Sequence, residues 1–280
     1  TSPTPLRAAP AGTAHRRCAS PTAARRDSRR CCARRWRARI NVVSMKAIAS
    51  GRDQLPVTIG SEVVVCLAAR ALLWPRQNTL FVADVHLGKA ASFRAAGVPL
   101  PGGHSAQDLD RLKSLIAAHA VRHLVVLGDL IHARQSYTAL LDQKFRQFRT
   151  QHRDIDITLV RGNHDRHAGD PPASWGIALQ SDPFALGPFA CLHEPADSAT
   201  PATSDAGAPI AIELSGHLHP AFRLTTSRES VALPCFWWHH RGVVLPSFGS
   251  FTGSSPVPLD IGESAIVVAG QHLHHLMRRG

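Results

Sequence analysis

Apolar runs and amphipathic helical patterns alternate through the first part of the chain. Short, unbroken apolar runs predict strands that are buried on both faces, and they occupy residues 63–67, 79–83, 123–127, 155–160 and 189–192. Two stretches with apolar residues three or four positions apart predict helices, one beginning at Ser105 and one over residues 136–151. The predicted inward-facing residues are Leu109, Leu112, Leu115 and Ile116 in the first helix and Leu140, Leu141, Phe145 and Phe148 in the second.

The later apolar runs follow one another with no helical pattern between them. They cover residues 210–214, 231–238, 242–245 and 265–269, and a Pro-, Ala-, Ser- and Thr-rich stretch at 194–209 predicts a loop before them. Early strands that alternate with helices, followed by strands that do not, favour two stacked sheets flanked by helices. The expected fold class is therefore α/β.

Five of the apolar runs end in side chains that bind metal ions or transfer protons. The residues that follow are Asp84 and His86, Gly128-Asp129, Gly162-Asn163-His164-Asp165, His193, and Gly216-His217-Leu218-His219. Strand ends are the usual place for chemistry in α/β sheets, and residues two apart in an extended strand point to one side, so Asp84 and His86 can bind one metal ion together. An isolated D-x-H also occurs at ordinary strand ends. Five such ends in succession indicate a metal or acid–base site.

The ordered set D-x-H, G-D, G-N-H-D, H and G-H-x-H resembles the calcineurin-like metallophosphoesterase family. Shorter segments are similar to one bacterial branch of that family, the ligase-associated DNA damage response endonucleases (PdeM). These segments are H-L-G-K at 86–89, F-R-A-A-G-V-P at 93–99, G-H-L-H-P at 216–220, L-P-C-F at 233–236 and L-P-S-F-G-S-F-T-G at 245–253. The resemblance implies a four-layer α/β/β/α sandwich formed by one domain over residues 45–280. Residues 1–44 have no counterpart in it.

The resemblance also implies a centre of two divalent metal ions. One ion is expected on Asp84, His86 and His219, the other on Asn163, His193 and His217, with Asp129 bridging both. A carboxylate suits the bridging position because each of its two oxygens can bind one cation. Mixed oxygen and nitrogen ligands suit Mn, Fe, Zn or Co better than Mg or Ca, and Mn is the first choice for an assay.

Hydrolysis at such a centre uses a water that the two cations acidify and hold in line with phosphorus. His164 is the histidine of G-N-H-D that the family does not use as a main ligand. It is expected to contact the phosphate or donate a proton to the leaving oxygen, with Asp165 orienting its other ring nitrogen. The glycines before Asp129, Asn163 and His217 are expected to let the backbone turn sharply beside the ions.

The sequence leaves open the roles of several other residues. His132 is suited either to reaching the substrate or to beginning a helix, and the sequence favours neither. Lys89 and Arg94 are placed to grip a phosphate, yet a solvated helix face explains charges at this spacing equally well. Trp237 and Trp238 are more typical of core and rim packing than of a base-stacking surface.

The resemblance implies a phosphodiesterase that cleaves DNA as an endonuclease, in repair, with a DNA ligase and a helicase-like protein as partners. One alternative is a small-molecule phosphodiesterase or nucleotide pyrophosphatase. Another is a non-catalytic binding protein of the same fold, which is disfavoured because every ligand position and His164 are filled. The oligomeric state is left open.

The positive charge of the chain is concentrated at one end. The whole chain has a net charge of +12, but residues 1–44 hold eleven Arg and one Asp, a net +10. The remaining 21 basic and 19 acidic residues leave +2. Charge in residues 45–280 therefore neither supports nor excludes DNA, since tight non-specific DNA binding relies on cationic contacts.

Residues 1–44 are rich in Arg, Ala and Pro, have no regular apolar period, and are expected to be disordered. They are compatible with a nucleic-acid arm, a transit peptide, native sequence of unknown use, or upstream sequence wrongly joined before Met45. No stretch approaches the ~20 apolar residues of a membrane span, so a protein without a membrane segment is expected. Scattered Cys66, Cys191 and Cys235 predict reduced core thiols in a cytoplasmic protein.

Overall fold

The structure, a computed structural model, describes residues 45–196, 212–225 and 229–279. The segment 1–44 and most of the predicted 194–209 loop lie outside these residues. In chain order, the strands are β1 (Met45–Arg52), β2 (Gln54–Ile59), β3 (Glu62–Leu67), β4 (Ala71–Trp74), β5 (Thr79–Ala83), β6 (His123–Leu127), β7 (Asp156–Val160), β8 (Ala178–Gln180), β9 (Phe184–Leu186), β10 (Phe189–Cys191), β11 (Ile212–Ser215), β12 (Pro220–Thr225), β13 (Ser230–His239), β14 (Gly242–Val244), β15 (Ser255–Pro256), β16 (Ser264–Ala269) and β17 (His272–Arg278). The helices are α1 (Lys89–Ala95), α2 (His104–Ala118), α3 (Ala139–Gln151) and α4 (Asn163–Ala168).

These strands form two sheets. The smaller sheet has the order β2-β3-β4-β5-β6-β7-β8, and its strands from β5 to β8 are parallel. The larger sheet has the order β1-β17-β16-β13-β14-β11-β10-β9, with β12 and β15 attached beside β13. Within it, β10, β11 and β14 are parallel. Both sheets therefore contain a parallel group, which aligns several carboxyl strand ends at one edge.

Two apolar cores explain why the central strands are unbroken apolar runs. Alternate residues of a strand face opposite sides of a sheet. Leu80, Val82 and Val126 pack in the core that includes the buried faces of α2 and α3. Phe81 and Val125 pack in a second core, shared with the larger sheet. Each of these strands is thus buried on both faces, as the sequence predicted.

The α/β sandwich is confirmed, and its outer layers differ from each other. Cys235, Ala265 and Val267 on the outer face of the larger sheet pack against Val257 and Leu259. Among the described residues, this core contains residues of strands and of the loop before β16 and none from a helix. None of the described helices is long and apolar enough to cross a membrane. The described cysteines are buried and unpaired.

Candidate metal centre

The predicted site residues lie at the carboxyl ends of parallel strands from both sheets. Asp84 and His86 follow β5, Asp129 follows β6 and Asn163 follows β7, all in the smaller sheet. His193 follows β10 and His217 and His219 follow β11, in the larger sheet. A bridge between Ala83 and Ser247, with the Ser247 hydroxyl donating to the Asp84 carbonyl at 2.9 Å, joins the edges of the two sheets here. The chain thus brings seven residues from five strand ends into one place.

Most of these residues have an unusual backbone conformation. Asp84, His86, Asp129, His217 and His219 all have φ between 46° and 66°, in the left-handed region. The expectation that Asp84 and His86 lie on one side of an extended strand is wrong, because β5 ends at Ala83 and the backbone turns immediately. Left-handed non-glycine residues cost of order 1–3 kcal/mol each and cluster at functional sites. The surrounding structure holds these residues in strained conformations, which indicates a functional site.

The first cluster contains Asp84, His86 and His219. Their candidate ligand atoms all lie within 4.8 Å of one another. His86 Nε2 lies 3.3 Å from His219 Nε2, which in turn lies 3.6 Å from Asp84 Oδ1. The other ring nitrogen of His219, Nδ1, lies 3.0 Å from the Gly253 carbonyl, which holds the ring with Nε2 toward the cluster.

The second cluster contains Asp129, His193 and His217, again with candidate ligand atoms within 4.8 Å of one another. His193 Nε2 lies 2.7 Å from Asn163 Oδ1 and 3.0 Å from His217 Nδ1, so Asn163 belongs to this group. His193 Nδ1 faces the Leu127 carbonyl at 3.3 Å. A backbone acceptor on one nitrogen fixes the tautomer and leaves the other nitrogen as a ligand.

Asp129 lies between the two clusters. Its Oδ2 is 3.8 Å from His86 Nε2 of the first cluster, and its Oδ1 is 3.5 Å from His193 Nε2 of the second. Oδ1 also accepts a hydrogen bond from the His164 backbone N–H at 2.9 Å, which fixes the carboxylate. Each oxygen of one buried carboxylate therefore faces a different set of histidines.

Glycines leave the room that this arrangement needs. A Cβ on Gly128 would lie 2.0 Å from His193 Nδ1, and a Cβ on Gly162 would lie 2.2 Å from Asp129 Oδ1. Gly128 also has φ of +76°, where a side chain is strained. The backbones after β6 and β7 can approach the site side chains this closely only because both positions lack a Cβ.

The electrostatics of the clusters fit bound cations. Burial first, and then repulsion from Asp84 and Asp165, raise the pKa of Asp129 to about 8. Burial lowers the pKa of His193 to about 4 and also lowers the pKa of His86, so these rings are held in the neutral, metal-binding form. Among the described residues, none donates a hydrogen bond to the buried Asp84 Oδ1. A divalent cation would stabilise both carboxylates and satisfy this oxygen, so the donor set fits divalent metal ions.

His164 and Asp165 differ from expectation in one respect. His164 Nδ1 lies 2.7 Å from the His132 carbonyl, which takes the orienting role that was predicted for Asp165. Asp165 instead accepts hydrogen bonds from the backbone N–H groups of Ile131 and Gly162, both at 3.0 Å. The Asp165 carboxylate binds the backbone of the loops after β6 and β7. Asp165 is the third residue of α4, and its side chain reaches back to these loops. Asp165 therefore positions backbone and does not contact the His164 ring.

Two residues that the sequence left open lie beside the centre. His132 forms a third group with His86 and His164, whose ring nitrogens lie within 4.8 Å of one another. Lys89 begins α1 three residues after His86, and its backbone N–H donates to the His86 carbonyl at 3.2 Å. Burial lowers the pKa of Lys89, while the negative charges of Asp84 and Asp129 raise it. The sequence signal for both is weak, since a lone His after a turn and a Lys at a helix start are common.

Comparisons with known proteins agree with this geometry. The family model for calcineurin-like phosphoesterases matches residues 78–220, which include the whole span from Asp84 to His219. A comparison with curated proteins found no match. Among solved structures, the chain is similar to the nuclease MPE of Pseudomonas putida, with 36% identity, a TM-score of 0.65, and coverage of 77% of this chain and 96% of the other.

Two further solved structures share less with this chain. The E. coli phosphoesterase Yfce is 15% identical with a TM-score of 0.34, over 69% of this chain and 88% of the other. A Vps29 variant from Entamoeba histolytica is 14% identical with a TM-score of 0.32, over 72% and 99%. Likenesses this low do not bear on function. The family match over residues 78–220 and the likeness to the nuclease show that the chain belongs to the calcineurin-like phosphoesterase family, whose members use divalent metal ions.

Proposed function

We propose that this protein is a phosphodiesterase that cleaves DNA with two divalent metal ions. The observation that carries the proposal is one buried carboxylate, Asp129, with its two oxygens facing two separate groups of metal-ligating side chains. Paired cation sites that share a ligand are typical of enzymes that displace groups at phosphorus. The similarity to a nuclease over 96% of that chain supports a nucleic acid as the substrate, and the motif resemblance favours DNA.

The proposed ligands follow the two clusters. One ion is held by Asp84, His86 and His219, the other by Asn163, His193 and His217, and Asp129 is shared. Nitrogen and oxygen donors in this mixture suit Mn, Fe, Zn or Co, and Mn²⁺ is the proposed ion for assays. When bound, the two cations supply an activated water and neutralise charge on the phosphoryl oxygens.

His164 is proposed to act on the substrate directly. Its Nδ1 is engaged by the His132 carbonyl, so Nε2 is the atom that remains for a phosphate oxygen or the leaving oxygen. Its ring centroid lies 5.0 Å from that of His86, so His164 lies next to the first cluster. Lys89, which begins α1 three residues after the proposed ligand His86, is proposed to contact the phosphate as well.

The biological setting is proposed from the motif resemblance alone. A role in repair beside a DNA ligase and a helicase-like protein, in the cytoplasm, follows from the segments shared with the ligase-associated endonucleases. The small net charge of residues 45–280 argues against tight non-specific binding of DNA, which relies on cationic contacts.

The test is a cleavage assay on the full chain, stripped of metal and reloaded with Mn²⁺. Supercoiled DNA, single-stranded DNA and a simple chromogenic phosphodiester are incubated with the wild type and with His164→Ala, which reveals any contaminating nuclease. DNA cleavage that disappears in the variant supports the proposal. Cleavage of the chromogenic diester alone would contradict DNA as the substrate and favour a small phosphodiester, and cleavage of neither would contradict the proposed activity.

A further inference from the structure

A column of nearly parallel rings begins beside the metal centre. The ring of His164 stacks on the ring of His132, with centroids 4.8 Å apart and planes 25° apart. His132 also stacks on Phe93, at 6.2 Å and 26°. Stacking of this kind is favourable but directional, and here it connects the proposed catalytic histidine to Phe93 through His132.

The outer end of the column is open to solvent. Phe93 is 39% exposed, one of few large apolar side chains with this exposure among the described residues. Phe251 lies edge-on to Phe93 at 5.9 Å, and it stacks in turn on His104 at 5.1 Å and 28°. Phe93 and Phe251 thus form a corner of two rings at right angles. Each ring also stacks on a histidine, Phe93 on His132 and Phe251 on His104.

Helix α1 carries a cation and a ring on the same side. Lys89 and Phe93 are four residues apart, and side chains at this spacing are neighbours on a helix surface. Lys89 is joined to the proposed ligand His86 by a hydrogen bond from its backbone N–H to the His86 carbonyl at 3.2 Å, so Phe93 lies one helical turn further along α1 from that ligand. A nucleotide carries the complementary groups in the same order. Its phosphate, at one end, suits the cation, and its base, at the other end, suits the aromatic ring.

Resting on the proposed function, we propose that Phe93 and Phe251 form a base-binding subsite that takes an unpaired nucleobase of the substrate beside the scissile phosphate. Every base has a π face, but only an unpaired and unstacked base can offer it to a protein ring. A base at this corner continues the column that already runs from His164 through His132 to Phe93. The subsite therefore fixes the phosphate next to the metal ions by holding the base attached to it.

The alternative is that these rings only pack α1 against the loops around residues 132 and 251. Packing alone predicts that replacing Phe93 changes stability and leaves discrimination between substrates unchanged. A base-binding subsite predicts a preference for substrates that carry a base at the flanking position. The test therefore measures a ratio between two substrates and does not depend on the absolute activity of any variant.

The experiment uses Mn²⁺-loaded full chain and short oligonucleotides with one phosphodiester, the other linkages being uncleavable methylphosphonates. The nucleotide on the 5′ or the 3′ side of that phosphodiester carries either a natural base or an abasic site. Rates are compared as kcat/KM, and Kd is measured by fluorescence anisotropy on matching oligonucleotides in which the last phosphodiester is also replaced. The variants are Phe93→Ala, Phe93→Leu and Phe251→Ala.

Val63→Ala is the control, because Val63 is 50% exposed but lies on β3 at the end away from the metal centre. Leu67, at the other end of β3, pairs with Ala71, and Leu72 pairs with Phe81 of β5. Leu67 therefore lies at the sheet edge where β5 ends, and Val63 lies toward the opposite edge. In the wild type and the control, kcat/KM should be about 5- to 150-fold higher with the natural base than with the abasic site, on one side of the phosphodiester. This range corresponds to 1–3 kcal/mol of stacking, at about 1.4 kcal/mol for each factor of ten. In the Phe93 and Phe251 variants the ratio should fall toward one.

A wild-type ratio near one on both sides, or a ratio unchanged in the Phe93 and Phe251 variants, would overturn the subsite. That result leaves the proposed function standing if the oligonucleotides are cleaved. Absence of cleavage with every substrate would instead contradict the proposed function, and the Kd ratios on the uncleavable oligonucleotides would still decide whether Phe93 and Phe251 bind a base.

Discussion

Gly162 lies against the shared carboxylate, so replacing it by alanine tests how tightly the centre is built. Its φ of −85° is ordinary for any residue, and the substitution therefore adds no backbone strain. The new Cβ would lie 2.2 Å from Asp129 Oδ1 and 2.5 Å from Asp129 N, whereas ordinary contacts begin at 3.4 Å. Asp129 or the loop before α4 must then move by about 1 Å.

A displacement of about 1 Å at a reacting centre can cost about 100-fold in rate. We expect Gly162→Ala to lose about two orders of magnitude in kcat on a phosphodiester and to bind less metal per chain, measured by elemental analysis after desalting. Gly102→Ala is the matched control, because a Cβ there would meet nothing within 4 Å. Wild-type turnover and metal content in Gly162→Ala, with circular dichroism showing a folded protein, would refute the role of Asp129 as the shared ligand.

Further substitutions and metal removal test other parts of the structure. His164→Ala should keep its metal and lose about 10² to 10⁴ in kcat, and unchanged turnover would remove it from the mechanism. Asp129→Asn should lower both metal content and turnover, and two retained ions would contradict the shared ligand. Chelation should lower Tm, since an ion present at 100 times its Kd contributes about 2.7 kcal/mol, and an unaltered thermal melt would argue against bound ions. Asp108→Ala should lower the free energy of unfolding, measured in urea, by about 3 kcal/mol, because this buried carboxylate pairs with Arg111 at 3.2 Å and accepts hydrogen bonds from Ser250. An unchanged free energy of unfolding would show that the pair is not stabilising.

The central strands and the site residues could be predicted from the sequence because their signals are local. Residues 79–83 and 123–127 are buried on both faces, so each is one unbroken apolar run with clear ends. The recurrence of polar site residues directly after such runs predicted which side chains would meet. Leu140 shows the limit of a helical pattern, since it was predicted to face inward and is 62% exposed at the second residue of α3.

Features that depend on contacts between distant segments could not be predicted. The His132 carbonyl that orients His164 is 32 residues away, and Asp165 turns to backbone groups of two other loops instead. The left-handed backbone at Asp84 and Asp129 was not predicted either, because Asp adopts this conformation more often than most residues but still at few of its positions. The ring corner of Phe93 and Phe251 likewise unites two segments whose apolar residues look unremarkable in sequence.

Anomalous diffraction from crystals of the Mn²⁺-loaded protein, recorded at the manganese absorption edge, would locate the bound ions directly. Two peaks are expected, one on either side of Asp129, the first among Asp84, His86 and His219 and the second among Asn163, His193 and His217. A single peak, or peaks that do not contact Asp129, would contradict the two-ion centre on which the proposed function rests.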